Sequence, residues 1–340
     1  MSPTLMPRSA LITGITGQDG GYLAEQLLGE GVVVHGMVHD GDPQVAALRE
    51  RSPGVLLHQG DLLDEASLAA VVAAAEPDEV YNLAGIISVA FSWDKPVLTA
   101  DITALGAARL LEQVWQYQQR RGAVVRFVQA SSAEIFGSAA QIPQTEQTPL
   151  APTSPYGAAK AYAHQLVGVY RARGLGATSI VLYNHESPRR PPTFVTRKIT
   201  QAAARISRGL AGELALGNLD VRRDWGWAPD YVDAMVRAAR VDQAQDFLIA
   251  TGEAHSVAEF VAAAFSRAGL ADWERYVRID PAFARPVDAA LQVGDASKAR
   301  SVLGWAPTVG FADLVGAMVD EDLRLLDETP DQAGSAQPAR

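Results

Sequence analysis

A tyrosine and a lysine whose spacing suits catalysis stand near the middle of the chain, in Ser154-Pro-Tyr-Gly-Ala-Ala-Lys160. Ser154 suits a helix cap, and Pro155 suits the first helical position, where an N–H group would be unpaired in any case. Tyr156 and Lys160 then share one helical face. An ammonium group near a phenol favours the phenolate, so we predict that Tyr156 acts as a base with a pKa well below its usual value of about 10.

Such a pair also occurs by chance on helical surfaces, so the prediction depends on a cofactor site elsewhere in the chain. Ala10 to Thr13 predicts a short buried strand, and a glycine-rich loop separates it from a helical stretch that runs from Tyr22 to Leu28. In that order, backbone amides and a helix dipole meet the pyrophosphate of a dinucleotide. The loop residues predicted to bind the cofactor are Gly14, Gly17, Gln18, Asp19 and Gly20.

The second predicted strand, Val32 to Val38, ends in His39-Asp40-Gly41-Asp42. An acidic residue about 20 positions after the glycines binds the ribose 2′-hydroxyl group of NAD, whereas an arginine accommodates the 2′-phosphate of NADP. Asp40 stands at that distance. Asp40 and Asp42 are equally consistent with ordinary loop residues beside Gly41, so the residues alone leave the cofactor choice open.

Polar and small residues follow the later predicted strands as well. Leu56 to His58 leads to Asp61, near the expected adenine position, and the strand at 79–82 gives way to small residues. The strand from Val124 to Ala130 ends in Ser131-Ser-Ala-Glu134. Ligands lie beyond the carboxyl ends of strands in open α/β sheets, so we expect Ser132 and Glu134 to touch a substrate. The alternatives are a helix cap for Ser132 and a solvated turn for Glu134.

Strands and helices alternate up to about residue 182, with Ile180 to Tyr183 as the sixth strand. This alternation predicts an α/β fold, a Rossmann-type doubly wound parallel sheet. Three prolines within residues 184–192 interrupt the regular pattern, and a smaller, interwoven C-terminal substrate-binding domain is expected after it. The expected domains are a cofactor-binding domain at 8–183 and a mainly substrate-binding domain at 184–328, from which some segments return to the first domain. A disordered tail is expected at 329–340. Ser256 and Glu259 form a capping box that predicts a helix to about Ala268.

Composition excludes several classes of protein. The 340 residues contain no cysteine, which rules out disulfides, zinc–thiolate sites and cysteine nucleophiles, and no metal is predicted. The absence of long apolar runs and of a secretion signal near Met1 predicts a cytoplasmic protein with no membrane partner. A net charge of −10 argues against nucleic acid. Between Arg189 and Arg223, however, the sequence contains eight arginines and lysines but only two acidic residues. This local positive charge indicates an anionic ligand, although a solvated helix face explains Arg205 and Arg208.

Longer sequence motifs in the chain resemble those of a known family. The glycine loop and Tyr-x-x-x-Lys resemble the extended short-chain dehydrogenase/reductase superfamily. Further motifs, spread over nearly the whole chain, resemble those of the GDP-mannose 4,6-dehydratases, which belong to this superfamily. They are Ser131-Ser-Ala-Glu134, Asn184-His-Glu-Ser-Pro-Arg-Arg190, Thr193-Phe-Val-Thr-Arg-Lys-Ile-Thr200, Leu216-Gly-Asn-Leu-Asp220 and Arg223-Asp-Trp-Gly226.

The resemblance implies a redox-neutral dehydration of GDP-mannose on one tightly bound nicotinamide cofactor. It implies catalysis by Ser132, Glu134, Tyr156 and Lys160. Beyond the glycine loop, it implies that cofactor-binding residues include Tyr156, Lys160, His39, Asp61, Leu62, Leu83, Ala84 and His185. Substrate-binding residues would be Glu134, Ser88, Asn184, Arg190, Val195, Lys198, Leu216, Gly217, Arg223, Arg285 and Asp288. Guanidinium groups suit a diphosphate, which accounts for the basic segment.

This chain departs from the family pattern at several positions. His39 and Asp40 replace arginines that typically contact the 2′-phosphate and often a neighbouring subunit, so the implied NADP stands beside NAD as a possibility. Ser132 replaces a threonine. The remaining departures bear on substrate choice and are Ile86-Ile87, Pro191-Pro192 and Arg285-Pro-Val-Asp288, where Arg-Pro-x-Glu is common. The helices at 105–118 and 156–171 are placed to form the dimer seam of the superfamily, which predicts a homodimer or homotetramer, although core packing explains their apolar faces equally well.

Overall fold

The structure is a computed structural model that describes residues 8–283, 287 and 289–328. The strands in chain order are β1 (Ser9–Thr13), β2 (Val33–Val38), β3 (Leu56–Gln59), β4 (Glu79–Asn82), β5 (Arg126–Ser132), β6 (Gly176–Leu182), β7 (Asn184–Glu186), β8 (Leu214–Leu216), β9 (Arg222–Arg223), β10 (Trp225–Trp227), β11 (Phe247–Ile249), β12 (His255–Ser256), β13 (Val277–Ile279) and β14 (Leu291–Gln292).

The helices are α1 (Gln18–Gly29), α2 (Val45–Arg51), α3 (Glu65–Ala75), α4 (Val89–Asp94), α5 (Pro96–Thr99), α6 (Gly106–Arg121), α7 (Pro155–Ala172), α8 (Val195–Ser207), α9 (Ala228–Ala239), α10 (Val257–Arg267), α11 (Ser297–Leu303) and α12 (Phe311–Glu328). A π-helical run, Ala100–Leu105, joins α5 to α6. Short 3₁₀ turns occupy Ala133–Ile135, Trp273–Tyr276 and Pro281–Phe283. No helix within the described ranges is long and apolar enough to cross a membrane.

Seven parallel strands form the central sheet in the order β11-β6-β5-β4-β1-β2-β3. The order runs outward from β1 in both directions, so the direction of winding reverses between β1 and β4. Such a reversal opens a crevice beyond the carboxyl ends of these two strands, where doubly wound folds bind ligands. The predicted Rossmann-type sheet is therefore confirmed, and the crevice fixes where the site must lie.

Helices cover both faces of the sheet, as parallel strands require. On one face α1 and α9 pack against the sheet, and buried side chains such as Ile12, Leu23 and Tyr231 meet there. On the other face α3, α6 and α7 surround Leu11 and Phe127. These apolar layers hold the strand ends, and hence the loops of the crevice, in fixed positions.

The edge strand β11 comes from a later part of the chain than the six strands that the sequence predicted. It contributes Phe247–Ile249, and its neighbour β6 begins at Gly176, earlier than expected. A strand of three residues is too short for an alternation or a long apolar run to stand out. The polypeptide therefore returns to the central sheet after leaving it at β6.

A separate apolar cluster lies among α8, α10 and α12, with Trp225 and Phe260 at its centre. Around it stand the pair β8–β13 and the three-stranded sheet β12-β9-β14. The predicted capping box at the start of α10 is confirmed: the Ser256 hydroxyl group accepts from the Glu259 N–H group, and the Glu259 side chain accepts from the Ser256 N–H group. The exact division of the chain into two domains stays a prediction.

Candidate active site

The glycine-rich loop after β1 forms a cradle that side chains would fill. Gly14 has φ +68°, and a Cβ atom there would lie 2.9 Å from the backbone nitrogen of Ala84. A Cβ atom on Gly20 would lie 2.4 Å from the carbonyl oxygen of Gly14. Helix α1 begins directly after Gly17, and no side chain caps its first turn. Open N–H groups at a helix start bind anions, so this cradle fits the pyrophosphate of a dinucleotide.

Leu83 and Ala84, which the resemblance implies bind the cofactor, directly follow β4 and lie beside this cradle. The backbone N–H group of Leu83 donates to the carbonyl of Thr13 at 3.3 Å, and that of Ala84 donates to the Thr13 hydroxyl group at 3.2 Å. Both N–H groups are thus held by β1.

A buried ion pair connects the glycine loop to β7. The Asp19 carboxylate lies 2.8 Å from Nε2 of His185, whose Nδ1 lies 2.7 Å from the carbonyl oxygen of Tyr183. A carbonyl and a carboxylate only accept hydrogen bonds, so both ring nitrogens carry protons and His185 is an imidazolium. Burial alone would lower the pKa of His185, but the charge and hydrogen bond of Asp19 raise it. Burial raises the pKa of Asp19, but the charge of His185 and the hydrogen bonds from His185 and Gln18, together with the charge of Arg190, outweigh it, so the pKa is lowered.

Gln18 reinforces the same connection. Its amide nitrogen donates to the carbonyl of His185 at 3.1 Å, and its amide oxygen accepts from the Ser187 hydroxyl group at 2.8 Å. Ser187 was absent from the predicted site residues, because only the folded chain brings it to the loop.

The start of α7 has the predicted form. The Ser154 hydroxyl group accepts from the N–H group of Gly157, and Pro155 occupies the first turn. The Lys160 ammonium group lies 5.8 Å from the centre of the Tyr156 ring, and it donates to the carbonyl of Ala130 on β5 at 3.0 Å. The two side chains therefore do share one side of the helix, close to the end of β5.

The prediction that Tyr156 has a pKa below its usual value is wrong. Burial raises the pKa of Tyr156 to about 12, and the nearby charge of Glu134 adds to the rise. A hydrogen bond with Ser132 and the charge of Arg190 oppose it. Burial also lowers the pKa of Lys160 to about 8, so its ammonium group loses its proton at lower pH than that of an exposed lysine. The desolvation of both groups outweighs the effect of spacing on which the prediction rested.

Ser132 and Glu134 lie at the carboxyl end of β5 and are partly exposed. Ser132 belongs to the strand, and its hydroxyl group accepts from the N–H group of Glu134 at 3.3 Å. Ser132 thus caps the 3₁₀ turn, the alternative considered for it, while it also reaches Tyr156. Glu134 acts electrostatically on the same phenol. These three side chains therefore form one group.

Arg190 lies near this group and is paired with Glu186, a carboxylate that was not among the predicted site residues. Glu186 is buried on β7, lies 3.1 Å from Nε of Arg190, and accepts from the Thr196 hydroxyl group at 2.7 Å. The guanidinium group of Arg190 also stacks 3.7 Å from the centre of the Phe194 ring. The spacing of four residues between Glu186 and Arg190 was the available signal. The result is a fixed cation close to Tyr156.

The other predicted substrate-binding residues lie on separate elements. Lys198 on α8 has its ammonium group 3.5 Å from the centre of the Phe283 ring, and burial lowers its pKa. Arg223 is buried and donates to the carbonyls of Arg222 and Ala289. Ser88 caps α4. The remaining positions are Asn184 on β7, Val195 at the start of α8, Leu216 at the end of β8 and Gly217 directly after it, while Arg285 and Asp288 lie outside the described residues.

Carboxylates follow the ends of β2 and β3: Asp40 and Asp61 are exposed, and Asp42 is partly buried. Asp42 accepts from the Thr16 hydroxyl group of the glycine loop at 2.8 Å, and Asp40 accepts from the Gln59 amide group at 3.2 Å. His39 is exposed, with Nδ1 2.9 Å from the carbonyl oxygen of Asp40. Asp61 accepts from the N–H group of Leu63, and Leu62 is buried, its Cβ atom set against Gly106. The contact of Asp42 with the glycine loop is long-range and was not predicted.

Comparison with known proteins agrees with this arrangement. Residues 11–318 match the family model described as GDP-mannose 4,6 dehydratase. GDP-mannose 4,6 dehydratase 2 of Arabidopsis thaliana is 47% identical over 339 residues, which cover 95% of this chain and 89% of that protein. A UDP-glucose 4-epimerase of Thermotoga maritima, solved with UDP-glucose, superposes with a TM-score of 0.83 at 25% identity, covering 93% of this chain and 99% of that one. A UDP-glucose 4-epimerase of Thermus thermophilus, solved with NAD, has a TM-score of 0.79 at 28% identity, covering 92% and 98%.

Proposed function

This chain belongs to the GDP-mannose 4,6-dehydratase family, and we propose that it converts GDP-mannose to GDP-4-dehydro-6-deoxy-D-mannose with loss of water. It would be a hydro-lyase whose nicotinamide cofactor is regenerated in every turnover. The observation that carries the proposal is the group at the end of β5, where Ser132 and Glu134 both act on Tyr156. A simple 4-reductase needs the tyrosine but has no use for the carboxylate.

Each side chain of this group has a distinct role in the proposal. Tyr156 takes the proton from the sugar 4-hydroxyl group as C4 is oxidised to a ketone. Ser132 hydrogen-bonds with the phenol, and the Lys160 charge supports the phenolate. The 4-ketone acidifies the hydrogen on C5, and Glu134 removes that proton while the 6-hydroxyl group leaves as water. The bond between C5 and C6 is then unsaturated. C6 accepts a hydride, and the proton that Tyr156 took from the 4-hydroxyl group returns to C5, which restores the phenolate.

When bound, the nicotinamide cofactor supplies the hydride acceptor for C4, the hydride donor for C6 and, in its oxidised form, a positive charge in the site. That charge favours the phenolate, which offsets part of the rise in the pKa of Tyr156. The residues that would hold the cofactor are the cradle of Gly14, Gly17 and Gly20 and the pair of Asp19 and His185. Family membership by itself favours NADP, whereas Asp40 at the end of β2 favours NAD.

The basic residues between β7 and β9 support an anionic substrate. Arg190 is positioned by Glu186 and influences Tyr156, so it is the cation best placed for a diphosphate next to the reacting sugar. We assign Lys198, Arg223 and the partly exposed Asn184 to the nucleotide part of the substrate. Of these, Lys198 lies beside Phe283, and burial lowers its pKa.

Mass spectrometry of the reaction tests the proposal. Purified protein, GDP-mannose and a trace of cofactor are expected to give a product lighter by one water, with no net change in reduced cofactor. The variant Glu134→Gln is expected to lose dehydration but to retain slow oxidation at C4. This oxidation would be seen as absorbance of the reduced cofactor that rises and does not fall again. Full dehydration by this variant, or no reaction of the native protein with GDP-mannose, would refute the proposal. Asp242→Asn, at an exposed position after α9, serves as the control.

We also propose that the protein is a homodimer or homotetramer, joined through the helices of the predicted seam. Leu105, Tyr162 and Val169 are apolar or aromatic residues on this surface whose side chains are exposed in the single chain. Light scattering coupled to size exclusion tests this. A Val169→Asp variant is expected to shift the mass towards the monomer, and a native protein that elutes as a monomer at micromolar concentration would refute the assembly.

A further inference from the structure

The loops that follow β1, β2 and β3 share one unusual property. Residues 14–20, 39–44 and 60–64 contain five aspartates and neither an arginine nor a lysine. In dinucleotide-binding sheets, the 2′ position of the adenosine ribose lies beyond the end of the second strand. There, a carboxylate accepts a hydrogen bond from a 2′-hydroxyl group, whereas a 2′-phosphate requires cationic donors.

Two of these carboxylates are held in place on opposite sides of the end of β2. Asp42 is tied towards β1, because its Oδ2 atom accepts from the Thr16 hydroxyl group and its Oδ1 atom accepts from the N–H group of Gln44. Asp40 is tied towards β3, because its Oδ1 atom accepts from the side chain of Gln59. The end of β2, where the ribose of a dinucleotide would bind, lies between these two attachments.

His39 is the one basic side chain at residues 39–44, and it does not offset the negative charge of Asp40 and Asp42. Nδ1 of His39 lies 2.9 Å from the carbonyl oxygen of Asp40, and a carbonyl only accepts, so this nitrogen carries the proton. The loop after β2 therefore brings two carboxylates, and neither an arginine nor a lysine, to the region of the 2′ position.

We infer that the cofactor of this protein is NAD rather than NADP, and that Asp40 and Asp42 are the residues that determine this choice. The inference rests on the proposed function only in assuming a nicotinamide dinucleotide in the glycine cradle. A 2′-phosphate would bring about two negative charges next to two carboxylates, and this repulsion is expected to weaken NADP binding by about tenfold or more relative to NAD.

Calorimetric titration of the full chain, freed of bound nucleotide, measures this directly with NAD and with NADP, and no sugar substrate is needed. The native protein is expected to bind NAD at least about tenfold more tightly. Asp40→Asn with Asp42→Asn keeps the shape and one accepting oxygen on each side chain, so it is expected to reduce the ratio of the two Kd values at least about fivefold, mainly through tighter NADP binding. Asp242→Asn removes one charge from an exposed position after α9 and is expected to leave the ratio unchanged.

Three outcomes would overturn the inference: tighter binding of NADP by the native protein, an unchanged ratio in the double variant, or binding of neither nucleotide. A second measurement does not depend on variants. Nucleotide released from the freshly purified protein by denaturation is expected to be NAD by mass spectrometry, and NADP would contradict the inference. Failure of dehydration with NAD bound would refute the proposed function alone, and dehydration with a clear preference for NADP would refute the inference alone.

Discussion

The pair of Asp19 and His185 gives the most developed prediction, because it links the cofactor loop to β7 through a buried charge. The perturbation is a double-mutant cycle with Asp19→Asn, His185→Gln and the double variant, measured on the nucleotide-free protein. Both side chains are largely buried, with 21% and 11% of their surfaces exposed. Exposed ion pairs contribute up to about 1 kcal/mol, and breaking a fully buried pair costs about 3–5 kcal/mol. We therefore expect a coupling free energy of about 2 kcal/mol.

The dependence of this coupling on pH has a definite sign. The pKa of Asp19 is lowered in the folded protein, so its contribution is present above the ordinary value of 3.8 and is lost as the pH falls through the folded value. The pKa of His185 is raised, so its contribution is present below the ordinary value of 6.5 and is lost as the pH rises through the folded value. The coupling is therefore expected to be greatest between these two ordinary values and to fall on the alkaline side.

Urea unfolding at several pH values measures the cycle, and a matched cycle on Arg267 and Asp320 serves as the control. That pair is exposed, so its coupling is expected to stay below about 1 kcal/mol. A coupling between Asp19 and His185 that is near zero at pH 5.5–6, or that does not change up to pH 9 (roughly the range in which a histidine with a raised pKa titrates), would refute the assignment of a charged imidazolium.

Three further predictions concern the site and its support. Ser132→Ala removes a hydrogen bond that lowers the pKa of Tyr156, so the rising limb of the kcat/KM profile should move to higher pH with about a tenfold loss at neutral pH; an unmoved limb would contradict this role. Gly20→Ala places a methyl group against the Gly14 carbonyl, so nucleotide binding by calorimetry should fall by at least about tenfold, and native affinity would argue against the cradle. Asp224→Asn introduces an amide among donors from Thr251, Gly252 and Gly294, so urea unfolding should show a loss of about 3 kcal/mol; a loss below about 1 kcal/mol would show that the amide is accommodated.

Local chemistry in the sequence predicts several elements well. Ser154 and Pro155 start α7, and Ser256 with Glu259 starts α10, because a cap is formed by residues that are close together in the chain. The order of strand, glycine loop and helix predicts the cradle for the same reason. The alternation of strands and helices then gives the parallel sheet, which the topology confirms.

The features that the sequence did not predict depend on distant segments. Asp42 meets Thr16 and His185 meets Asp19 only after the sheet has formed. The pKa of Tyr156 was predicted in the wrong direction, because burial of the phenol opposes the effect of the lysine. Burial is set by the whole fold, whereas a spacing of four residues reports only that two side chains share a helical face.

The central claim is that one bound cofactor carries a hydride from C4 to C6 of the same sugar while Tyr156 and Glu134 move the protons. GDP-mannose with deuterium at C4 tests this most directly, because solvent cannot supply that label. The account predicts a dehydrated product that retains the deuterium, now at C6, with unlabelled cofactor recovered in unchanged amount. Loss of the deuterium to solvent, or its accumulation in released cofactor, would contradict the account.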